Sequence, residues 1–307
     1  MTSPSTGAKI ALLADRGVVR VAGEDAEKLL QGVITSDMEL LSAQPAIHAA
    51  LLSPQGKILF DFFVVKAPGG FLLETAADRC ADLAKRLTMY KLRAKADIQD
   101  RSAEYRVLAV WGEAPTSHGD TAGTVWFPDP RLPALGLRIL AATRSAPDVV
   151  SVTNGLGATP DDYHAHRIAL GVPEGGKDYA FGDAFPHEAD LDQLDGVSFT
   201  KGCFVGQEVV SRMQNRASIR KRVVPVAGEA PLTTGAEIRA GAAVIGAIGS
   251  TAGMQALALV RLDRAAEAVA KGEGLTADGV AIALRRALPA SVGTSIPIPP
   301  RSSGRAW

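Results

Sequence analysis

Residues 201–208 read Lys-Gly-Cys-Phe-Val-Gly-Gln-Glu and combine the residue types that can activate a thiol. A cysteine reacts as its thiolate, and a nearby cation and a helix N-terminus both favour that form. Cys203 lies two positions after Lys201 and just before a predicted helix start. Gly202 and Gly206 permit tight turns and the close approach of a ligand to the backbone. The stretch therefore predicts either a reactive thiol or, as for most single cysteines, a small buried residue.

The end of this stretch begins a predicted helix. Apolar residues at a spacing of four predict one buried helix face, formed by Val205, Val209 and Met213. Glu208 and Arg212 are also four apart, with the acid first, which is the favourable order for an ion pair on a helix surface. Glu208 is thus either part of a solvated helix face or, with Gln207, a group that holds the loop around Cys203.

Residues 185–188, Phe-Pro-His-Glu, form a second candidate site. They follow a glycine-rich loop and precede several acids. A glutamate in a partly apolar loop can accept paired hydrogen bonds from a planar heterocycle rich in N–H groups. Glu188 is the residue that would do this. The alternative is an ordinary surface loop with a turn-forming proline.

The sequence gives little support to a metal site, to nucleotide-driven chemistry or to serine-hydrolase chemistry. Cys80 lies on the inward stripe of a predicted helix, and two cysteines cannot supply a four-cysteine iron–sulfur cage. His164 and His166 are two apart on a predicted helix and point in different directions, so we predict no metal site. The chain also lacks a P-loop, a G-x-G-x-x-G between strand and helix, and a G-x-S-x-G.

The elements that must position these residues can be predicted from periodicity. Strands are predicted at residues 18–22, 47–52, 58–66, 71–75, 105–111 and 135–141, and helices at 24–31, 77–90 and 159–170. The Pro/Gly-containing turn at 53–57 makes the second and third strands a hairpin, and the next strand extends it to a meander.

The pattern of residue types along the chain changes near residue 221. Short Val/Ile/Ala/Gly segments then alternate with glycine-rich turns, which predicts a small antiparallel β-barrel or sandwich. The fold class is therefore α+β. We predict an α+β region at 10–220 made of two interleaved subdomains, a barrel at 221–290, and flexible ends at 1–9 and 291–307. The stretch 112–123 is predicted to be a loop.

Composition limits the partners and location. The chain has 33 Lys plus Arg and 33 Asp plus Glu, so no net charge draws it to nucleic acid or to an anionic membrane. The N-terminus has no secretory apolar region, and the apolar run at 242–248 is too short to span a bilayer. We expect a cytoplasmic monomer with free thiols, no membrane anchor and no nucleic-acid partner.

One local basic patch stands apart from this balance. It consists of Arg212, Arg216, Arg220, Lys221 and Arg222. The patch has no interleaved aromatic residues, so it is a weak nucleic-acid site. An alternative is that it steers an anionic ligand.

Several motifs together resemble one family. They are Leu-Gln-Gly-Val-Ile-Thr-Ser-Asp at 30–37, Ser-Pro-Gln-Gly-Lys-Ile at 53–58, Arg-Ile-Ala-Leu-Gly-Val-Pro at 167–173, and the stretches 185–188 and 201–208. In this order they resemble the YgfZ family of folate-binding proteins of iron–sulfur cluster maturation, relatives of the glycine-cleavage T-protein. That family usually has tyrosine where this chain has Phe204, which keeps the ring and loses the hydroxyl.

The resemblance implies a fold and a function. It implies domains around a central channel, a C-terminal β-barrel, and tetrahydrofolate bound in the channel. It implies a role in assembling or repairing iron–sulfur clusters, with transient client or carrier partners and Cys203 as the functional thiol. Lys201 would favour the thiolate, Gly202 and Gly206 would shape the loop with Gln207 and Glu208, and Glu188 would contact the pterin.

A second function remains open. The T-protein relatives transfer an aminomethyl group to tetrahydrofolate with an aspartate early in the helix after the meander. Asp82 lies near that place, although the preceding residues do not match the T-protein signature. A folate-dependent aminomethyl- or methyltransferase is therefore the alternative, and a binding scaffold without chemistry is a third hypothesis.

Overall fold

The computed structural model describes residues 7–112, 123–146, 156–216 and 219–285. They form two compact units. The first takes in residues up to 52, 59–163 and 194–205, and the second takes in 53–58, 164–193 and 206 onward. The predicted region 10–220 is thus shared between the two units. The predicted tail at 291–307 and most of the predicted loop at 112–123 lie outside the described residues.

A five-stranded sheet carries the meander of the first unit. In spatial order its strands are β3 (Ala46–Leu52), β4 (Ile58–Ala67), β5 (Gly70–Ala76), β2 (Arg16–Ala22) and β6 (Asp97–Asp100). Helices α1 (Ala26–Val33) and α2 (Cys80–Lys91) pack their apolar residues on this sheet in one core. The predicted hairpin and meander are present in the sheet, with boundaries within one or two residues of those expected.

A second sheet of the same unit has the order β10 (Leu156–Gly157), β1 (Lys9–Leu12), β7 (Tyr105–Trp111), β9 (Leu137–Ala142) and β8 (Thr124–Pro128). One core contains residues of both sheets, so the two sheets pack face to face. Ala8 is buried and Lys9 begins β1, which corrects the flexible segment predicted at 1–9; residues 1–6 lie outside the described residues. Strand β8 was not predicted.

The C-terminal strands close into a six-stranded barrel. Their order is β11 (Lys221–Gly228), β14 (Gln255–Arg261), β13 (Ala243–Ala252), β12 (Glu237–Ala240), β15 (Leu275–Ala277) and β16 (Val280–Leu284). Pairing around the barrel is antiparallel, and its core is filled by small and branched residues. The barrel prediction is confirmed, and the sandwich alternative is excluded. Helix α5 (Leu262–Ala270), which contributes Ala265 and Ala268 to that core, was not predicted.

Two further helices complete the described elements. They are α3 (Pro160–Ala169) and α4 (Gln207–Arg216). Thr159 and Asp162 form a reciprocal cap at the start of α3: Asp162 N donates to Thr159 Oγ1 at 3.1 Å, and Thr159 N donates to Asp162 Oδ2 at 2.8 Å. The Asp162 carboxylate also accepts from Thr159 Oγ1 at 2.7 Å, and the two hydrogen bonds that it accepts from Thr159 lower its pKa. The predicted threonine cap is therefore present. Among the residues that the structure describes, every helix is too short or too polar to cross a bilayer.

Candidate functional site

Cys203 is exposed at the surface of the first unit, in a segment without regular secondary structure. Lys201 and Phe204 on either side of it are buried, while Gly202 is exposed. The thiol thus projects from a short loop that is held at both ends. Of the two interpretations of this cysteine, the small buried residue is wrong, because the thiol is at the surface.

Lys201 anchors this loop. Its side chain reaches the segment that follows α1, and only 8% of the residue is exposed. The ammonium donates to three carbonyl oxygens, those of Gln31, Ile34 and Ser36, at 2.7, 2.9 and 2.8 Å. An ammonium has three N–H donors, so all of them are used. Carbonyls at the end of a helix have no partner within it, and Lys201 supplies one.

The charge of Lys201 is affected by this burial. Removal from water lowers the pKa of the ammonium to about 8, although the nearby Asp37 carboxylate opposes the shift. The sequence suggested that Lys201 favours the thiolate by its charge. In the structure its three donors point to main-chain oxygens, so its direct contacts hold the loop in place, and the electrostatic role remains a prediction.

Thr35 gives the loop a second attachment. Its hydroxyl donates to Gly196 O at 2.6 Å and accepts from Ala50 N at 2.7 Å, while its carbonyl accepts from Ser198 N at 2.9 Å. Strand β3, the end of α1 and the loop before Cys203 are joined through this one residue. Together with the bonds of Lys201, these contacts join residues 30–37 to residues 196–201, two segments far apart in the sequence.

The other cysteine lies in a different environment. Cys80 begins α2, is fully buried and belongs to the core under the first sheet. Burial raises the pKa of its thiol to about 11. A Cβ on Gly17 would lie 2.7 Å from Cys80 Sγ, so the thiol fills the space above a glycine of β2. The prediction of a core residue is correct here.

The last three residues of the 201–208 motif, 206–208, belong to the second unit. Gly206 has φ +80°, a left-handed conformation that favours glycine. Gln207 begins α4, and Glu208 accepts from Arg212 at 2.5 Å with both side chains exposed. The contact of Glu208 is thus the predicted surface ion pair. The residue of α4 that is fully buried in the structure is Val210, whereas Val205, Val209 and Met213, which were predicted to form the buried face, are only half-buried.

Glu188 also lies in the second unit and closes its own turn. Its Oε2 accepts from Phe185 N at 2.9 Å, and the Phe185 ring lies under Lys57 Nζ at 3.5 Å. The neighbouring His187 is fully buried, its Nε2 is 2.9 Å from Gln214 Oε1, and burial lowers its pKa. The structure therefore places Glu188 in an ordered, half-buried turn, in which one carboxylate oxygen is already bonded.

A buried charged cluster between the two sheets was missed by sequence reasoning. Asp129 accepts from Arg131 at 2.8 Å and from Arg138 at 3.2 Å, and Arg138 donates to the Tyr163 hydroxyl at 2.7 Å. Burial alone would raise the pKa of the Asp129 carboxyl, but the two guanidinium groups outweigh this effect and hold that pKa at about 2. Glu74 completes the cluster, 3.5 Å from Arg138. These residues come from different elements, and the only local signal is Asp129 and Arg131 two apart.

Asp82, the acid of the alternative function, lies on the outer face of α2. Its side chain is 64% exposed and is 3.8 Å from Arg79 in a weak surface ion pair. It therefore faces solvent, and its ion pair with Arg79 is a surface contact.

The sequence of this chain matches a known protein family and several known proteins. The family described as "CAF17, C-terminal beta-barrel domain" matches residues 220–290, which contain the barrel. The human protein "Iron-sulfur cluster assembly factor IBA57, mitochondrial" is 36% identical over 272 residues, or 81% of this chain and 75% of the human protein. The chain belongs to the IBA57 family.

Other members of the IBA57 family agree. The mouse protein is 35% identical over 262 residues, covering 78% of this chain and 72% of the mouse protein. The homologue from Mycosarcoma maydis is 33% identical over 234 residues, covering 71% of this chain. The chain spans 57% of that fungal homologue and 54% of the one from Neurospora crassa, so it matches little more than half of their length.

The fold also has a solved counterpart. The glycine cleavage system aminomethyltransferase T from Bartonella henselae superposes with a TM-score of 0.73, covering 92% of this chain and 86% of that chain. Sequence identity is 15%, so this likeness establishes the fold alone. The predicted T-protein-like α+β fold with a C-terminal barrel is confirmed.

Two expectations change as a result. The relatives found carry the IBA57 name, so the resemblance to YgfZ holds at the level of the fold and the family assignment is IBA57. The prediction of a cytoplasmic protein is wrong: the human, mouse and fungal relatives are all named mitochondrial, which points to the mitochondrion instead.

Proposed function

We propose that this chain acts in the assembly of iron–sulfur clusters in other proteins, with Cys203 as its functional thiol. Membership of the IBA57 family supports this role, because its human and fungal members are named iron–sulfur cluster assembly factors. The assignment of Cys203 as the functional thiol is supported by one observation: Cys203 is exposed between the buried residues Lys201 and Phe204. Cysteine thiolates are the usual protein ligands of iron in clusters.

The chemistry expected of Cys203 is the donation of one ligand. The thiol would release its proton to solvent as it binds iron, and the remaining ligands would come from a carrier or client protein. Cys80 cannot assist in the folded state, because it is buried and its pKa is raised to about 11. Lys201 and Thr35 would keep the loop in place, so that the thiol meets a partner without first being ordered.

The test replaces Cys203 with Ala in cells that depend on this protein and measures the activity of an iron–sulfur enzyme. We expect at least a tenfold loss, and the same loss for Cys203→Ser, because a hydroxyl is a poor ligand for iron. Cys80→Ala is the matched control and should retain activity at equal protein level. Wild-type activity in both Cys203 variants would exclude the thiol role.

Tetrahydrofolate is the small-molecule ligand that we propose, with Glu188 as one contact. The carboxylate uses Oε2 for its own turn, and no described residue donates to Oε1, so Oε1 can accept from an N–H of the pterin. Gly206 and Gln207, which belong to the same unit as Glu188, are proposed to line the approach to the ligand. This part of the proposal rests on Glu188 and on the fold shared with the aminomethyltransferase.

Calorimetry with tetrahydrofolate tests this contact. Glu188→Gln should weaken binding by about tenfold, because a charged acceptor is replaced by a neutral one. Glu208→Gln should leave affinity unchanged, since Glu208 is paired with Arg212 on an exposed helix face. Equal affinity in wild type and Glu188→Gln would remove Glu188 from the site. The aminomethyltransferase alternative gains no support from the exposed Asp82 and is not advanced.

A further inference from the structure

The end of α2 and the turn after it are strongly basic. Residues 85–95 contain five cations and no acid, in a chain whose total charge is zero. The cations are Lys85, Arg86, Lys91, Arg93 and Lys95. Within the described part of the chain, the only ion pair formed by this group joins Lys95 to the exposed Glu24 at 2.8 Å. The other four cations are available to an outside partner.

Two apolar side chains project from the same place. Met89 is 61% exposed, and Leu92 is 86% exposed, more than any other large hydrophobic residue described. Met89 follows Lys85 by four positions within α2, so these two lie on one side of the helix, and Leu92 comes directly after the last helical residue. Exposed apolar residues scattered singly are ordinary, but two of them within a cluster of cations form a distinct surface.

The backbone holds Leu92 outward. Ala94 N donates to Lys91 O at 2.8 Å and closes a four-residue turn, in which Leu92 has φ 48° and ψ −107°. These angles are those of the first central residue of a type II′ turn, where glycine is favoured. Leu92 therefore occupies the tip of a tight turn at a position that does not favour a branched side chain.

We propose that this surface, residues 85–95, docks onto an anionic lipid bilayer. Membrane-surface contacts combine apolar side chains that enter the headgroup region with lysines and arginines that pair with anionic lipids. A protein partner of stable affinity needs a larger patch, of about 800 Å² per side, usually centred on aromatic or arginine anchors in pockets. Two exposed aliphatic side chains fall short of that, whereas they suffice for a peripheral contact supported by several cations.

The experiment is co-sedimentation of the full chain with vesicles of phosphatidylcholine alone and of phosphatidylcholine with about a third phosphatidylglycerol. We expect binding to the anionic vesicles only, and its loss in about 0.5 M salt, because salt screens exposed charges. Leu92→Gly should lower the partition coefficient about tenfold, and Lys91→Gln and Arg93→Gln about fivefold each. Leu92→Gly fits the turn, so it tests the tip in a folded protein.

Matched controls lie in the barrel. Met254 is exposed in the turn between β13 and β14, and Lys271 is exposed after α5, so Met254→Gln and Lys271→Gln should bind vesicles as the wild type does. The proposal is overturned by equal binding to both vesicle types, by no vesicle binding, or by unchanged binding of Leu92→Gly. Retention on an acidic polypeptide without vesicle binding would indicate an acidic protein partner instead. The result is independent of the role of Cys203, which lies outside this surface.

Discussion

The surroundings of Cys203 and of Cys80 differ in nearly every physical respect. Cys203 is exposed in an irregular loop, whereas Cys80 is fully buried at the start of α2. Burial raises the pKa of Cys80 to about 11, and the same thiol packs against Gly17. The comparison shows that the packing around a cysteine, rather than its presence, decides whether it can do chemistry.

The strongest test of this comparison is chemical labelling. Iodoacetamide at pH 8 should modify Cys203 rapidly, while Cys80 should react far more slowly, because its thiol is buried and only about one in a thousand is ionised at that pH. Mass spectrometry of digests over time measures both rates. Labelling in denaturant provides the control, since there the two cysteines should react alike. Similar labelling rates for Cys203 and Cys80 in the folded protein would contradict the difference in reactivity proposed for them.

The next test concerns the anchor of the Cys203 loop. Lys201→Met removes three hydrogen bonds to carbonyl oxygens in a buried position and should lower the free energy of unfolding by about 2–4 kcal/mol. It should also speed amide exchange at residues 196–204 in particular. Denaturant titration and hydrogen exchange measure these effects. Lys85→Met, on an exposed helix face, is the control and should change stability by less than about 0.5 kcal/mol. A stable Lys201→Met variant with an ordered loop would contradict the anchoring role.

The smallest test compares two glycines, each near one cysteine. In Gly17→Ala the new Cβ would lie 2.5 Å from Ser102 Oγ and 2.7 Å from Cys80 Sγ, so we expect a loss of about 1–3 kcal/mol in unfolding free energy. In Gly202→Ala the Cβ meets nothing within 4 Å, and the loss should stay below about 0.5 kcal/mol. Thermal unfolding of both variants measures the difference. Equal losses would show that the two sites are packed alike.

Much of the local structure could be predicted from the sequence. The meander, the threonine cap of α3 and the barrel strands follow from side-chain period, turn residues and capping residues, all of which act within a few positions. Strand β8 was missed because it follows a stretch rich in turn-forming residues, and α5 because it follows β14 directly, in a region predicted to consist of strands and turns. The charged cluster around Asp129 joins separate strands and a helix, so no window of sequence contains it.

The candidate site can likewise be divided into features that the sequence indicated and features that only the tertiary structure decided. The sequence alone indicated that residues 201–208 are unusual, that Cys80 belongs to a helix core, and that the spacing of Glu208 and Arg212 permits an ion pair. Only the tertiary structure decided that Cys203 is exposed and that Lys201 binds main-chain oxygens of Gln31, Ile34 and Ser36. The physical reason is that every residue carries a carbonyl oxygen. Such an acceptor has no signature in the sequence, so its partner is known only once the chain has folded.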